Sequence, residues 1–354
     1  MPTDLTGGID LTREDVFAER PDDPQMRDSV SFWVFDGDGA VGLPRIGIEA
    51  LAATWEAHQM QINVAFPDGR VYRLREEAAA RPPFDAHGRP RVLGAGPLAF
   101  TCVEPFDVWR LAFDGPATQT SSTDLIAGRK NGPSVDLRFE VEARMAVPPW
   151  VQGALQPDAD TQLRTSLVGN LMGGPRYEQL FRATGWVEVG GQRQDFTGTG
   201  LRIRRQGVRK LEGFWGHCWQ SALFPSGRAF GYIAYPPRPD GEPAFNEGYL
   251  FDGDGALIPA RVVSAPWLTR LRPPGEDVSV VLETERGTVP IAGETVVSTH
   301  DITDPSEVPA DVLAKMANWS FPALQQAGVR YRVDGEEAIG MLERSSPMDR
   351  IVRD

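Results

Sequence analysis

FDGDGA, residues 35–40, recurs unchanged at residues 251–256, and its reading decides the class of the chain. As a calcium loop of the EF-hand type it would need oxygen ligands at positions one, three and five, glycine at six and glutamate at twelve. Counting from Asp36, position five is Ala40 and position six is Val41; counting from Asp252, they are Ala256 and Leu257. Both copies fail. Each copy is instead preceded by an apolar run (SFWVF, EGYLF) and followed by another (AVGLPRIGI, ALIPARVV). Asp and Gly tolerate the positive φ of a tight turn, so both copies are expected to be turns between strands.

The same device recurs outward from these turns. In WEAHQMQINVAFPDGRVYRLR, residues 55–75, Met60, Ile62, Val64 and Phe66 alternate with Gln59, Gln61, Asn63 and Ala65. That is the period of a half-buried strand. PDGR then turns the chain and VYRLR starts a return strand. HCWQSALF, PSGR and AFGYIAY repeat the arrangement from residue 217. Further strand-like text includes PLAFTCVE, DVWRLAFDG, SVDLRFEVEARMAV, GLRIRRQGVR and VRYRVDG. Helical text is scarce: a short segment in LTREDVFAERP, an ambiguous IGIEALAATW, and SEVPADVLAKMANWSFPALQQAG at 306–328, with Ser306 as N-cap and Gly328 closing it. The two halves are not a tandem repeat, because FDGDGA precedes PDGR in the first half and follows PSGR in the second.

The 354 residues suffice for two domains. With 37 glycines and 30 prolines, many short elements joined by turns are expected. A formal charge of −13 argues against nucleic-acid or anionic-membrane partners, which need a basic face. No apolar run approaches the length of a membrane-spanning helix. The start, MPTDLTGGIDLTRED, lacks the basic residues and apolar core of a secretory signal. Cys102 and Cys218 sit in apolar or aromatic strand text and are expected to be free, buried thiols, consistent with a cytoplasmic location. The division between domains is expected in the Pro-, Gly- and polar-rich stretch at 150–175, giving one β domain over 1–160 and another over 161–354.

YEQLFRATGWVEVGGQRQDFTGTGLRIRRQGVR, continuing to GHCWQSALFPSGRAFGYIAY, resembles the two-domain lipocalin-like proteins grouped with carotenoid 1,2-hydratases, tocopherol-cyclase-like proteins and kievitone hydratase. In a bacterial branch of that group the middle motif runs G-x-G-x-R-D-H-S-W-G-x-R. Gly198, Gly200, Arg202, Gly207 and Arg209 fall on matching positions, but Ile203, Arg204, Arg205 and Gln206 stand where relatives have Asp-His-Ser-Trp. The resemblance extends to LAFTCVEPFDVWRLAFDGPA and VDGEEAIGMLERS. It implies two β-barrels with a cleft between them and chemistry on greasy substrates: alkene hydration, prenyl cyclisation or cycloaddition. With this departure, the resemblance supports the fold better than the chemistry.

Acid-assisted alkene chemistry needs a proton donor against an apolar pocket and aromatic faces for a developing cation. In LEGFWGHCWQSALF, strand parity places Trp215, His217, Trp219 and Leu223 on one face. In TWEAHQM, Glu56 and His58 share parity with Met60 and Ile62. The plainer readings are a core histidine packed by tryptophans, and a strand start solvated at a rim. Arg202 and Arg209 are candidates to orient a polar end of the ligand, with Tyr177 as a further family-matched position. The four histidines show no metal-ligand spacing, no G-x-S-x-G elbow occurs, and GTGLRI does not fit a phosphate loop.

These observations lead to an all-β protein of two lipocalin-like barrels or strongly bent sheets. The expected activity is a cofactor-independent hydratase/dehydratase, isomerase or cyclase acting on a hydrophobic terpenoid-, steroid- or polyketide-like molecule in an apolar cleft. His217 or Glu56 would donate the proton with His58 as partner, and Trp215, Trp219 and Trp55 would wall the pocket. The alternatives are a cyclase or pericyclase working by shape alone and a non-catalytic lipophilic carrier. Association as a homodimer is compatible with this reading.

Overall fold

The computed structural model describes residues 3–156, 158, 176–208, 215–237, 244–302 and 322–352. The first sheet comprises β1 (Met26–Asp36), β2 (Gly42–Leu51), β3 (Ala57–Ala65), β4 (Arg70–Ala79), β5 (Val92–Ala95), β6 (Leu98–Glu104), β7 (Val108–Ser121), β8 (Ser134–Met145), β9 (Trp150–Val151), β10 (Arg176–Val189) and β11 (Gln192–Val208). Its order is β4-β3-β2-β1-β11-β10-β8-β7-β6-β5, with β9 on β10. A further pairing of β4 with β7, Arg70 opposite Ser121, brings the sheet back onto itself. The second sheet is a closed barrel of β12 (His217–Leu223), β13 (Ala229–Ala234), β14 (Asn246–Phe251), β15 (Ile258–Ser264), β16 (Val280–Thr284), β17 (Gly287–Ile302), β18 (Pro322–Val333) and β19 (Glu336–Pro347). The all-β, two-unit architecture expected from the turn and alternation pattern is the one observed.

Both FDGDGA copies are hairpin turns. The first joins β1 to β2: Gly39 N–H donates to Asp36 O, Ala40 N–H donates to Asp36 Oδ2 at 3.0 Å, and Gly39 takes φ +79°. The second joins β14 to β15. PDGR joins β3 to β4 and PSGR joins β12 to β13. Among the described residues no cluster of His, Cys, Asp or Glu is arranged to hold a metal ion.

Three finer readings meet the structure as follows. Residues 176–208 pair with β1 and β8 of the first sheet, and the second sheet's described strands begin at His217. IGIEALAATW resolves into the end of β2 and a short 3-10 turn, Ala52–Thr54. The expected helix at 306–328 falls in residues 303–321, outside the described residues, and then in Pro322–Gly328, which is strand. The other short N-terminal helix appears as a 3-10 turn, Leu11–Glu14, capped by the Asp10 side chain accepting from Thr12 N–H.

Strand alternation sorts side chains into three cores. Val30, Phe32 and Val34 of β1 point into the first barrel with Ile48, Met60 and Ile62. Trp33 and Phe35, on the other face of β1, point out of it and join Leu201, Trp219, Leu223, Ile233 and Met341 in a core shared by both units. Cys218, Ala222, Tyr232 and Val280 fill the second barrel. Both cysteines are free and buried, and burial pushes the thiol pKa to about 12 for Cys102 and about 11 for Cys218.

The G-x-G motif has a packing reason. Gly198 and Gly200 of β11 lie against β1, where a Cβ would run into the carbonyl oxygens of Phe35 and Trp33 respectively. Neither obstacle is a flexible side-chain end. Gly200→Ala is therefore expected to lower unfolding free energy by about 1–3 kcal/mol, the usual cost of overpacking; a urea midpoint matching the wild type would refute this.

His300 carries a pH effect. It is 2% exposed within β17, and among the described residues neither ring nitrogen has a hydrogen-bond partner. Burial, then the Arg344 charge, lowers its pKa to about 3. The unfolded chain protonates this histidine near pH 6.5, whereas the folded chain resists protonation until about 3. Stability must therefore fall as pH drops through that window, by up to about 1.4 kcal/mol per pH unit. Urea unfolding at pH 7 and pH 5 is expected to show about 2 kcal/mol of such loss that His300→Gln removes. An unchanged pH dependence in the variant would refute the assignment.

Candidate functional site

Between the two units lies a cavity of about 550 Å³, within the usual range for small-molecule sites. Its floor is the outward face of β1 to β4, including Ser29, Ser31, Trp33, Gln59 and Gln61; its other wall carries His217 and Trp219 of β12 and Glu343 of β19. Period-two alternation builds both walls. On β12, Cys218 and Ala222 turn into the second barrel, so His217 and Trp219 must face the first.

The tryptophans meet across the interface. Trp33 and Trp219 pack edge to face with centroids 4.8 Å apart. The Arg45 guanidinium lies 5.6 Å from the Trp33 ring centre and the Arg176 guanidinium 4.7 Å from that of Trp219. Trp219 Nε1–H donates to Glu178 Oε2 at 3.0 Å, and Glu178 is ion-paired to Arg176, both fully buried. Burial raises the Glu178 pKa, opposed by the Arg176 charge.

His217 is held at both ring nitrogens. Nδ1 is 2.7 Å from Ser345 Oγ, and Nε2 is 3.4 Å from Glu343 Oε1. Glu343 also accepts from Arg45 Nη1 at 3.2 Å and from Gln326 Nε2 at 2.6 Å. Burial alone would raise the Glu343 pKa. Arg45, His217 and Gln326 more than offset it, holding the carboxyl well below the usual range. A carboxyl held in this way favours its anionic form and can partner the imidazole ring.

Arg45 reaches this position through a distortion of β2. Register slips between Gly42 and Gly47 against β3, and Arg45 takes φ +72°. Asn63 Nδ2–H donates to Pro44 O at 2.9 Å and to Arg45 O at 3.3 Å, pinning the bulge. A bulge re-aims a side chain at a local energetic cost and is common beside functional sites.

The structure brings only some of the candidate residues together. His217 and Trp219 line the cavity. Trp215 sits just before β12, where its Nε1–H donates to Pro236 O at 2.8 Å and its ring leans on Tyr235. His58 lies inside the first barrel, Nδ1 3.0 Å from Gly94 O, with the Trp55 ring edge-on to it; burial lowers its pKa. Glu56 is exposed. Tyr177 and Arg202 bind Glu14 in the first unit's interior: Tyr177 Oη–H donates to Glu14, and Arg202 Nη1 donates to both its carboxylate oxygens at 2.6–2.7 Å. Arg209 lies outside the described residues.

Glu343, Ser345, Trp33 and Arg45 escaped sequence reasoning. Pro44 in a central strand was a legible sign of the bulge, since proline cannot donate to a ladder. Glu343 and Ser345 stand two apart in LERSS, at the spacing that shares a strand face. Nor is the cleft uniformly apolar as expected: arginines and glutamates line it alongside the tryptophans.

Fold and cleft together define an all-β, two-barrel protein with a concave cleft between the barrels. The chain belongs to the family described as a domain of unknown function, DUF7064, whose model matches residues 12–348. No curated protein matches it significantly. Among solved structures it is similar to a protein from Nitrosomonas europaea assigned as AttH (13% identity, 94% of this chain and 99% of that one, TM-score 0.51). It is similar also to CghA (11% identity, 91% and 88%, TM-score 0.52). At these identities the likeness is one of fold. No described helix is long and apolar enough to cross a membrane.

Proposed function

We propose that this protein is an enzyme that binds an organic small molecule in the inter-barrel cleft and moves a proton on it through His217. The reaction class is hydration or dehydration, isomerisation or cyclisation, with no redox step. The observation that carries the reading is the Ser345–His217–Glu343 chain on the wall of a cavity faced by two tryptophans. Ser345 fixes the ring orientation. Ionised Glu343 stabilises the imidazolium, while its 3.4 Å separation leaves the Nε2 proton loosely held. A double bond or departing hydroxyl placed beside that nitrogen would receive it. Positive charge developing on carbon would be met by the faces of Trp33 and Trp219. Support from outside the chain is coarse: CghA, of like fold, has been solved with Sch210972.

The test is native mass spectrometry of the purified protein for a co-purifying molecule, followed by incubation with compounds of that class. Conversion to an isomer, a hydrate or a dehydrated product is expected. Quantitative recovery of unchanged ligand would replace the enzyme with a carrier. Conversion with a pH-independent rate would favour catalysis by shape alone.

A further inference from the structure

The charge of the cleft runs against that of the chain. The whole sequence carries −13, yet five arginines and four glutamates line the cavity. Most of these are matched locally: Arg27 pairs with Glu49, Arg176 with Glu178 and Arg45 with Glu343. Glu76 and Glu77 line the cavity beside Arg75, and a cluster of cations lies at the same end. There Asp301 is shared by Arg75, by Arg73 at 3.6 Å and by Lys130 at 3.5 Å. Arg73 is buried, and its Nη1 has no hydrogen-bond partner among the described residues. Solvent reaches 31% of the Arg75 side chain, which lines the cavity. Burial in the cleft, and then the charges of Arg73 and Arg45, lower the Arg75 pKa. An anion placed there would relieve that repulsion.

Resting on the reading of the cleft as a ligand site, we propose that its ligand is an amphipathic acid. A carboxylate or comparable anionic head would seat between Arg45 and Arg75, and an apolar ring body would lie against Trp33 and Trp219 within reach of His217. A neutral terpenoid or steroid would leave the cationic end unanswered.

Two fluorescent probes of nearly identical shape test this: anilinonaphthalene sulfonate, and N-phenylnaphthylamine, which lacks the sulfonate. The full chain is expected to bind the sulfonate at least about tenfold more tightly, the scale of one charge-assisted hydrogen bond. Added salt should weaken only the sulfonate. Arg75→Met should abolish the preference while leaving the neutral probe's affinity unchanged; Arg75→Lys should retain most of it. Equal affinities for the two probes, or a preference that survives Arg75→Met, would overturn the anionic-head inference and leave the ligand-site reading intact. Failure of both probes to bind would overturn the two together.

Discussion

His217→Ala is expected to reduce turnover of the cleft substrate by at least about a hundredfold, the usual contribution of a positioned acid–base group. The thermal midpoint should stay near that of the wild type, because the ring sits on a cavity wall rather than in a packed core. Glu343→Gln should act in the same direction by a different route. The glutamine keeps the shape and a hydrogen bond to the site but removes the anion that stabilises the imidazolium, so the loss should appear in kcat more than in KM. Ser345→Ala should be milder, since it frees the ring without removing the proton carrier. The measurement is steady-state turnover of each variant, with the substrate found by mass spectrometry, alongside a melting curve. Wild-type turnover in His217→Ala would remove the imidazole from the mechanism. Equal damage to turnover and melting would make the dyad a structural one.

The second large effect concerns Arg202→Met, which should cost about 3–5 kcal/mol of unfolding free energy. Glu14 is 0% exposed and accepts from Arg202, Tyr177 Oη–H and Trp109 Nε1–H. Burial pushes its pKa up, but the Arg202 charge and these hydrogen bonds together hold it below the ordinary value. Removing the guanidinium strands a carboxylate in the interior. The double change Glu14→Leu with Arg202→Met removes both charges and should cost less than Arg202→Met alone, since replacing a buried pair is gentler than breaking it. Urea denaturation of the three proteins decides this. A single variant as stable as the wild type would refute the structural role and return Arg202 to consideration as a ligand contact.

The two arginine predictions differ for a reason visible in the fold. Arg202 and Arg45 both come from apolar strand text, and in isolation either could serve a ligand or a core. Arg202 points at the N-terminal 3-10 turn, which carries Glu14 into the first unit. Arg45 points out of that unit through a bulge and meets a carboxylate of the other. Parity alone cannot make that distinction, because it says which residues share a face and not which face is inside.

Much of the architecture was nonetheless readable from short-range chemistry. A turn such as FDGDGA is set by the backbone freedom of Gly and the side-chain acceptor of Asp, both local properties. Alternation in residues 57–65 and 217–223 reflects the two-residue repeat of a strand, which needs no knowledge of partners. Hence the strands, their hairpins and the shared face of His217 and Trp219 could all be anticipated. The division of the sheets could not, because β11 closes onto β1, more than 160 positions earlier in the chain, and no local signal encodes a pairing of that span. For the same reason Glu343 and Ser345 gave no warning. They lie about 125 residues beyond His217 and become its partners only when β19 pairs with β12 to close the second barrel. Local backbone preference specified the strands and turns of this protein; the constellation proposed to react exists only where distant strands and two barrel walls meet, since hydrogen-bond and charge partners are chosen by distance in space and not along the chain.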